Sequence, residues 1–172
     1  MQKNDLLENL KNLDKEVSLI YLPSNKIKIV IVGSGSLILQ GFLTRATNDI
    51  DVVGFSYPEL IHILEEYNVN CRSNAFSDCL AINYEDRLVK IELETKVFDY
   101  YALSLEDMVI MKLFSDRDKD KSDIREKEVL GNLNWELLDE IISSGEADVS
   151  FNEKRYKWFL DKYQEYVKEC KK

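Results

Sequence analysis

Two aspartates flank a single isoleucine in Asp49-Ile50-Asp51, inside an apolar stretch that closes on Val52-Val53. Asp is a poor strand former, so a pair of them in an Ile/Val-rich strand calls for a reason. Side chains alternate along a strand, which sends Asp49 and Asp51 to one face while Ile50 and Val52 point into a core. The carboxylates then lie about 6–7 Å apart, a spacing suited to clamping one or two Mg2+ ions that bridge to phosphate oxygens. Upstream, the β-branched run Ile27 to Val32 leads into Gly33-Ser34-Gly35-Ser36. Gly33 and Gly35 let the backbone approach a ligand, and the small Ser34 and Ser36 leave amide N–H groups open at a helix start, where phosphate oxygens sit well. An Asp-x-Asp alone is often a solvated sheet face, and Gly-Ser-Gly-Ser alone an ordinary turn. Their conjunction within one short run is what points to a metal-dependent phosphate site.

The elements that must hold these residues can be read on either side of them. Residues 3–16 form an amphipathic helix with Leu6, Leu7, Leu10 and Leu13 on one stripe, and Leu22 to Asn25 is a turn before the first strand. Gly54 to Pro58 breaks the pattern, and a second amphipathic helix spans Tyr57 to Tyr67, with Pro58 near its first turn, where a missing N–H costs nothing. Residues 69–86 read as loop, with a short helix around Ala75 to Leu80. From Leu88 to Glu94 the period returns to two, with Val89, Ile91 and Leu93 on one face and Lys90, Glu92 and Glu94 on the other. Lys96 to Leu103 is a further strand. Ser104 caps a helix whose apolar side is Met108, Ile110, Met111, Leu113 and Phe114 and whose polar side carries Lys112. The run 116–124, D-R-D-K-D-K-S-D-I, reads by composition as a solvated charge cluster. Residues 132–172 read as helical. The stripe Tyr156, Phe159, Leu160, Tyr163 and Val167 in the last helix is packing rather than a platform for stacked bases.

Composition narrows the chemistry. The chain has 172 residues, 45% of them hydrophobic, enough for one core with a helical appendage. We divide it into a domain over 1–131 and a helical extension over 132–172. No apolar run reaches the ~18 residues of a membrane span or the pattern of a signal peptide, so a soluble cytoplasmic protein with no membrane partner is expected. Three unpaired-looking cysteines and the single His62 argue against a disulfide framework, a zinc site or a His-dependent triad. A net charge of −9 excludes binding to nucleic acid through a global positive field, though not through a local basic site.

The Gly33-Ser34 turn followed by a helix and by Asp49-x-Asp51 resembles the nucleotidyltransferase fold shared with DNA polymerase β. With Arg45-Ala46-Thr47-Asn48 directly before Asp49, it looks most like the AbiEii-type toxin nucleotidyltransferases and the small uncharacterised domains similar to them. Downstream, Lys112-x4-Arg117-x-Lys119-Asp120-x2-Asp123 resembles the K-x4-R-x-K-D-x2-D pattern of those enzymes, and Tyr84-Glu85-Asp86-Arg87-Leu88 resembles their Y-E-x-R-L segment. The resemblance covers roughly residues 27–130. It implies an α+β fold, a mixed sheet flanked by helices, with a helical C-terminal tail. It implies that Gly33, Ser34, Lys112, Arg117 and Lys119 stand on the nucleotide side, with Asp120 and Asp123 as partners of the cations, and that Arg45 and Thr47 touch phosphate or fix the Gly-Ser loop. It also implies a third carboxylate on a strand beside the first pair, for which Glu92 is the first choice and Glu94 the reserve, within about 5–8 Å of Asp49 and Asp51.

The expected activity is therefore transfer of a nucleoside monophosphate from an NTP to an acceptor hydroxyl, with two Mg2+ (or Mn2+) ions held by Asp49, Asp51 and Glu92. By resemblance the acceptor is an RNA end, notably tRNA, or a protein side chain, in a toxin that has a cognate antitoxin. The alternatives are a catalytically degenerate fold that binds a nucleotide or a partner protein, and an antitoxin-like structural partner.

Overall fold

The computed structural model describes residues 1–71 and 76–172. Leu6, Leu10, Leu13 and Val17 recur at helical spacing and are fully buried, so α1 (Lys3–Ser18) turns one apolar stripe inward. β1 (Ile27–Val32) runs directly into α2 (Gly33–Leu39). β2 (Ile50–Val53) follows, then a 3-10 turn at Pro58–Leu60, α3 (Ile61–Glu66) and the two-residue β3 (Val69–Asn70). β4 (Val89–Lys90) and β5 (Phe98–Ala102) complete a five-stranded sheet in the order β3-β2-β1-β5-β4. β1 is antiparallel to β2 and parallel to β5, β2 is parallel to β3, and β4 is antiparallel to β5. α4 (Leu105–Leu113), α5 (Asp118–Asp123), α6 (Lys127–Asn132), α7 (Trp135–Ser143) and α8 (Glu153–Cys170) follow, giving eight α-helices among the described residues. The fold is thus α+β with a mixed sheet and a C-terminal helix, as the resemblance implied. Among the described residues no helix is long and apolar enough to cross a membrane.

The chain packs as two compact units, Met1–Asn74 with Leu88–Leu103, and Ala75–Arg87 with Ser104–Lys172. In the first unit, one face of the sheet carries Ile27, Ile29, Ile31, Ile50, Val52, Phe98 and Tyr100, all buried. The Tyr100 hydroxyl donates to the Leu10 carbonyl at 2.9 Å, which pins α1 to this face. Asp14 is buried yet satisfied, its carboxylate accepting from the amides of Lys96, Val97 and Phe98 at 2.8–2.9 Å. In the second unit α4 is buried along its whole length, including Glu106, Asp107 and Lys112. Phe114 stacks on Phe159 of α8 at 4.2 Å, and the Tyr166 hydroxyl donates to the Ile124 carbonyl. Ties that join the segment 76–87 to this unit include Arg87 to Asp107, the Ile82 amide to the Glu146 carbonyl, and Asp78 to Arg155.

Several elements differ from expectation. The strand over Leu88 to Glu94 shrinks to Val89–Lys90, and Val89 is exposed rather than buried. The reason lies in β5, where the amides of residues 96–98 bond to Asp14, so the ladder with β4 ends after the Ile91 amide reaches the Tyr100 carbonyl. α4 has no polar side, since its charged residues are buried with partners. Within the 116–124 cluster, residues 118–123 form α5, with Asp120 and Asp123 buried. Val69–Asn70, loop by sequence pattern, form β3. Residues 72–75, where that loop and the start of the short helix around Ala75 to Leu80 were expected, lie outside the described residues.

Candidate active site

Asp51 is positioned by three backbone relations. On β2 it faces Val32, the last residue of β1, and it lies in parallel register with Asn70 of β3. Ile50 and Val52 beside it are fully buried and Val53 is buried as well, while Asp51 is half-buried. Because β1 ends opposite Asp51, the next residue, Gly33, passes under its carboxylate. Gly33 has φ +68°, and a Cβ there would sit 3.1 Å from Asp51 Oδ2. Both facts select glycine, since L side chains avoid that backbone region and the space is filled by an oxygen. The other oxygen, Oδ1, accepts from Asn70 Nδ2 at 3.0 Å.

The loop before β2 surrounds this carboxylate. Arg45 Nη2 donates to Ser34 Oγ at 2.5 Å, fixing the Gly-Ser turn from the side. Thr47 is buried, and its hydroxyl donates to the Asp49 carbonyl at 3.2 Å. Asp49 is exposed and precedes the first residue of β2, so it reaches solvent from the loop rather than from the strand itself. Gly35 and Ser36 serve the fold: both are buried, and the Ser36 hydroxyl donates to the Leu103 carbonyl at 3.0 Å.

Glu92 and Glu94 are exposed and lie beyond β4, at the opposite edge of the sheet. Three ladders separate β4 from β2, about 14 Å at the usual strand spacing. Among the described residues no three His, Cys, Asp or Glu side chains group in a way that could hold a metal. The side chain nearest to Asp51 on a neighbouring strand is Asn70, an amide and not an acid. Sequence reasoning missed it because β3 is only two residues long and pairs through a crossover.

The cations of the second half of the sequence belong to the second unit. Lys112, 4% exposed, donates to Asp120 Oδ1 at 2.6 Å and to Asp123 Oδ2 at 2.9 Å. Asp120 also accepts from Ser115 and from Arg117 Nε at 2.7 Å. Burial pushes the Asp120 carboxyl up, but the hydrogen bonds from Lys112, Ser115 and Arg117 and the Lys112 charge outweigh it and bring it to about 2. Arg117 is 77% exposed, and Lys119 is exposed at the start of α5. Arg87 grips Asp107 with two nitrogens at 2.8 and 2.9 Å, so the Y-E-x-R-L arginine closes a structural ion pair within this unit. A cleft of about 460 Å3 beside Lys112 is lined by Lys121, Arg125 and Lys162 together with Asp116, Asp161 and Glu165, so its charges offset one another. Burial, the largest cause, pushes the Cys71 thiol up to about 11 and the Cys79 thiol up to about 12, which removes both as nucleophiles near neutral pH.

The Asp51 group offers carboxylate oxygens, a tight glycine turn and hydroxyls, the donor set of a phosphate-handling centre. No curated protein and no solved structure matches the chain. A family model described as nucleotidyltransferase of unknown function (DUF6036) matches residues 8–171, and the chain belongs to that family.

Proposed function

We propose that the protein transfers a nucleoside monophosphate from an NTP to an acceptor hydroxyl, with Asp49 and Asp51 as the metal-binding pair. The observation that carries this reading is the fixing of Asp51 between Gly33 and Asn70, a carboxylate aimed beside a glycine turn. Two carboxylates suit Mg2+, which takes one or two from a protein and completes its octahedron with water and substrate phosphates. When bound, Mg2+ or Mn2+ would supply charge neutralisation at the triphosphate and activation of the acceptor oxygen.

The chain's own residues do the rest by positioning. Gly33 and Ser34 set the backbone on which the phosphates rest, and Arg45 holds Ser34. The acceptor oxygen attacks the α-phosphorus in line, the bond from that phosphorus to the bridging oxygen breaks, and pyrophosphate leaves with the electron pair. The acceptor proton passes to Asp49 or to water. Within the second unit Lys112 holds the carboxylates of Asp120 and Asp123, and calorimetry of Arg117→Ala and Lys119→Ala with NTP tests whether these cations take part in nucleotide binding. Glu92 stands outside this scheme. An RNA end, tRNA included, or a protein hydroxyl serves as acceptor, and a toxin restrained by a cognate antitoxin is the setting.

Incubating the protein with each labelled NTP, Mg2+, total RNA and total protein tests this. Asp51→Ala and Asp49→Ala should each lower transfer by at least about a hundredfold, the loss expected when a group acting on the transition state is removed. A second reading, a nucleotide-binding module without transfer, draws on the lack of a third acid in the group among the described residues. It prevails if NTP binds in calorimetry and neither substitution changes any product.

A further inference from the structure

We propose that the loop after α1, Leu19-Ile20-Tyr21-Leu22, dips into the surface of an anionic lipid bilayer and holds the protein there reversibly. Leu19, Ile20 and Leu22 are 80%, 68% and 67% exposed and Tyr21 is 38% exposed, the longest run of exposed large apolar side chains among the described residues. A contiguous patch of this kind marks a surface that meets another apolar phase. The stripe of α1 stays buried as far as Val17, so the exposure begins where the helix ends.

Shape, backbone and charge favour lipid over a folded partner. Successive side chains leave a turn in different directions, so a rigid partner covers one side of four consecutive residues, whereas a fluid acyl layer surrounds them all. The backbone of the turn is already bonded within itself. The Leu19 amide donates to the Glu16 carbonyl, and the Ile20 and Tyr21 amides to the Val17 carbonyl, at 2.9–3.1 Å. Pro23 has no N–H, so immersion strands few polar groups. Over residues 11–28 the exposed charges are Lys11, Lys15, Lys26 and Lys28 against Glu16, because Asp14 is buried on backbone amides. Glu16 itself accepts from the Tyr67 hydroxyl. The chain carries −9 as a whole, but charges beyond a Debye length of about 8 Å are screened, and a bilayer feels the lysines nearest to it. Lysine stems lie along apolar surface while their ammonium groups reach headgroup phosphates, and tyrosine suits that depth. A second copy of the chain would bring the same lysines against themselves. Contact of this kind needs no spanning helix. The loop enters the sheet at Ile27, the first residue of β1, and Gly33 follows the last, so about 20 Å of strand separates the docked end from the Asp51 group.

Flotation of the full chain with vesicles of equal phosphatidylglycerol and phosphatidylcholine, against vesicles of phosphatidylcholine alone, tests this. The unaltered protein should bind the anionic vesicles at least about tenfold more strongly, and salt should weaken the binding. Leu19→Ser/Leu22→Ser should lower it at least about tenfold, since two leucines forfeit their burial. Lys15→Gln/Lys26→Gln should erase the preference for anionic lipid. Ile20→Trp should shift tryptophan emission to the blue on anionic vesicles, beyond any shift of the unaltered protein. The proposal is overturned if the unaltered protein does not float with anionic vesicles, or if a folded Leu19→Ser/Leu22→Ser variant floats equally well. A dimer in sedimentation that the same variant dissolves, without vesicle binding, assigns the loop to a second copy and overturns it too. Should the leucine variant fail to fold, the presence or absence of the blue shift in Ile20→Trp decides.

Discussion

Two groups of charged residues in this protein are built on opposite principles. Around Lys112 the side chains of Lys112, Asp120 and Asp123 are 3–4% exposed, and every contact is short and mutual. Around Asp51 the carboxylate is half-buried, its neighbours on hand are an amide and a glycine, and Asp49 stands in solvent. A buried ion network has spent its hydrogen-bonding capacity on itself, because an unmatched charge there costs several kcal/mol. Asp51, half-buried, accepts a hydrogen bond from the neutral Asn70 amide and stands over the Gly33 turn. The buried network serves the stability of the second unit, and under the reading proposed above Asp51 serves the chemistry.

Removing the cation from the buried group should have the largest effect. Lys112→Met leaves two carboxylates buried side by side, and the expected loss is about 3–5 kcal/mol in urea denaturation. A loss below about 1 kcal/mol, the worth of an exposed ion pair, would instead mark Lys112 as a ligand-facing cation and break the contrast. Acid should probe the same network more gently. The Asp120 carboxyl is lowered from 3.8 to about 2 in the folded chain, so the stability it contributes is complete above pH 4 and is lost as pH falls through about 2. Comparing unfolding of the unaltered protein with Asp120→Asn from pH 5 to pH 2 should show their difference shrink by about 2 kcal/mol.

The smallest loss of stability, with the sharper functional reading, comes from glycine. Gly33 and Gly54 share φ +68°, but a Cβ on Gly33 meets Asp51 Oδ2 at 3.1 Å whereas one on Gly54 meets nothing within 4 Å. Gly33→Ala and Gly54→Ala should each cost about 1–2 kcal/mol for the left-handed backbone. Only Gly33→Ala should reduce transfer, by about tenfold or more, as Asp51 is pushed aside. Equal transfer by the two variants would mean that the position of Asp51 does not matter.

What was legible in the sequence follows from the range of the interactions involved. Period-two alternation fixed the inward face of β2, since Ile50 and Val52 are its immediate neighbours. The glycine turn was readable for the same local reason. Asn70 was not, because its partner lies across a crossover and β3 offers two residues of pattern. Glu92 was misplaced across the sheet because alternation tells which face a residue takes, never which strands are neighbours. The 116–124 run looks solvated by composition, yet Lys112 on the preceding helix draws two of its acids inside. α4 hid its burial for the related reason that Glu106, Asp107 and Lys112 count as polar in any window, although each is matched.

The excursion from residue 76 to residue 87 carries a last consequence, for biosynthesis. Its ties are to Asp107, Glu146 and Arg155, so the anchor that holds Asp78 is translated 77 residues after it. A ribosome extending the chain exposes this stretch long before α8 emerges, while the strands on either side, β3 and β4, have partners in β2 and β5. The sheet can assemble during synthesis and Arg87 can find Asp107 early, but the Asp78 end of the stretch is fastened only once α8 has been made. Truncations that remove α8 should therefore unfasten residues far upstream of the cut.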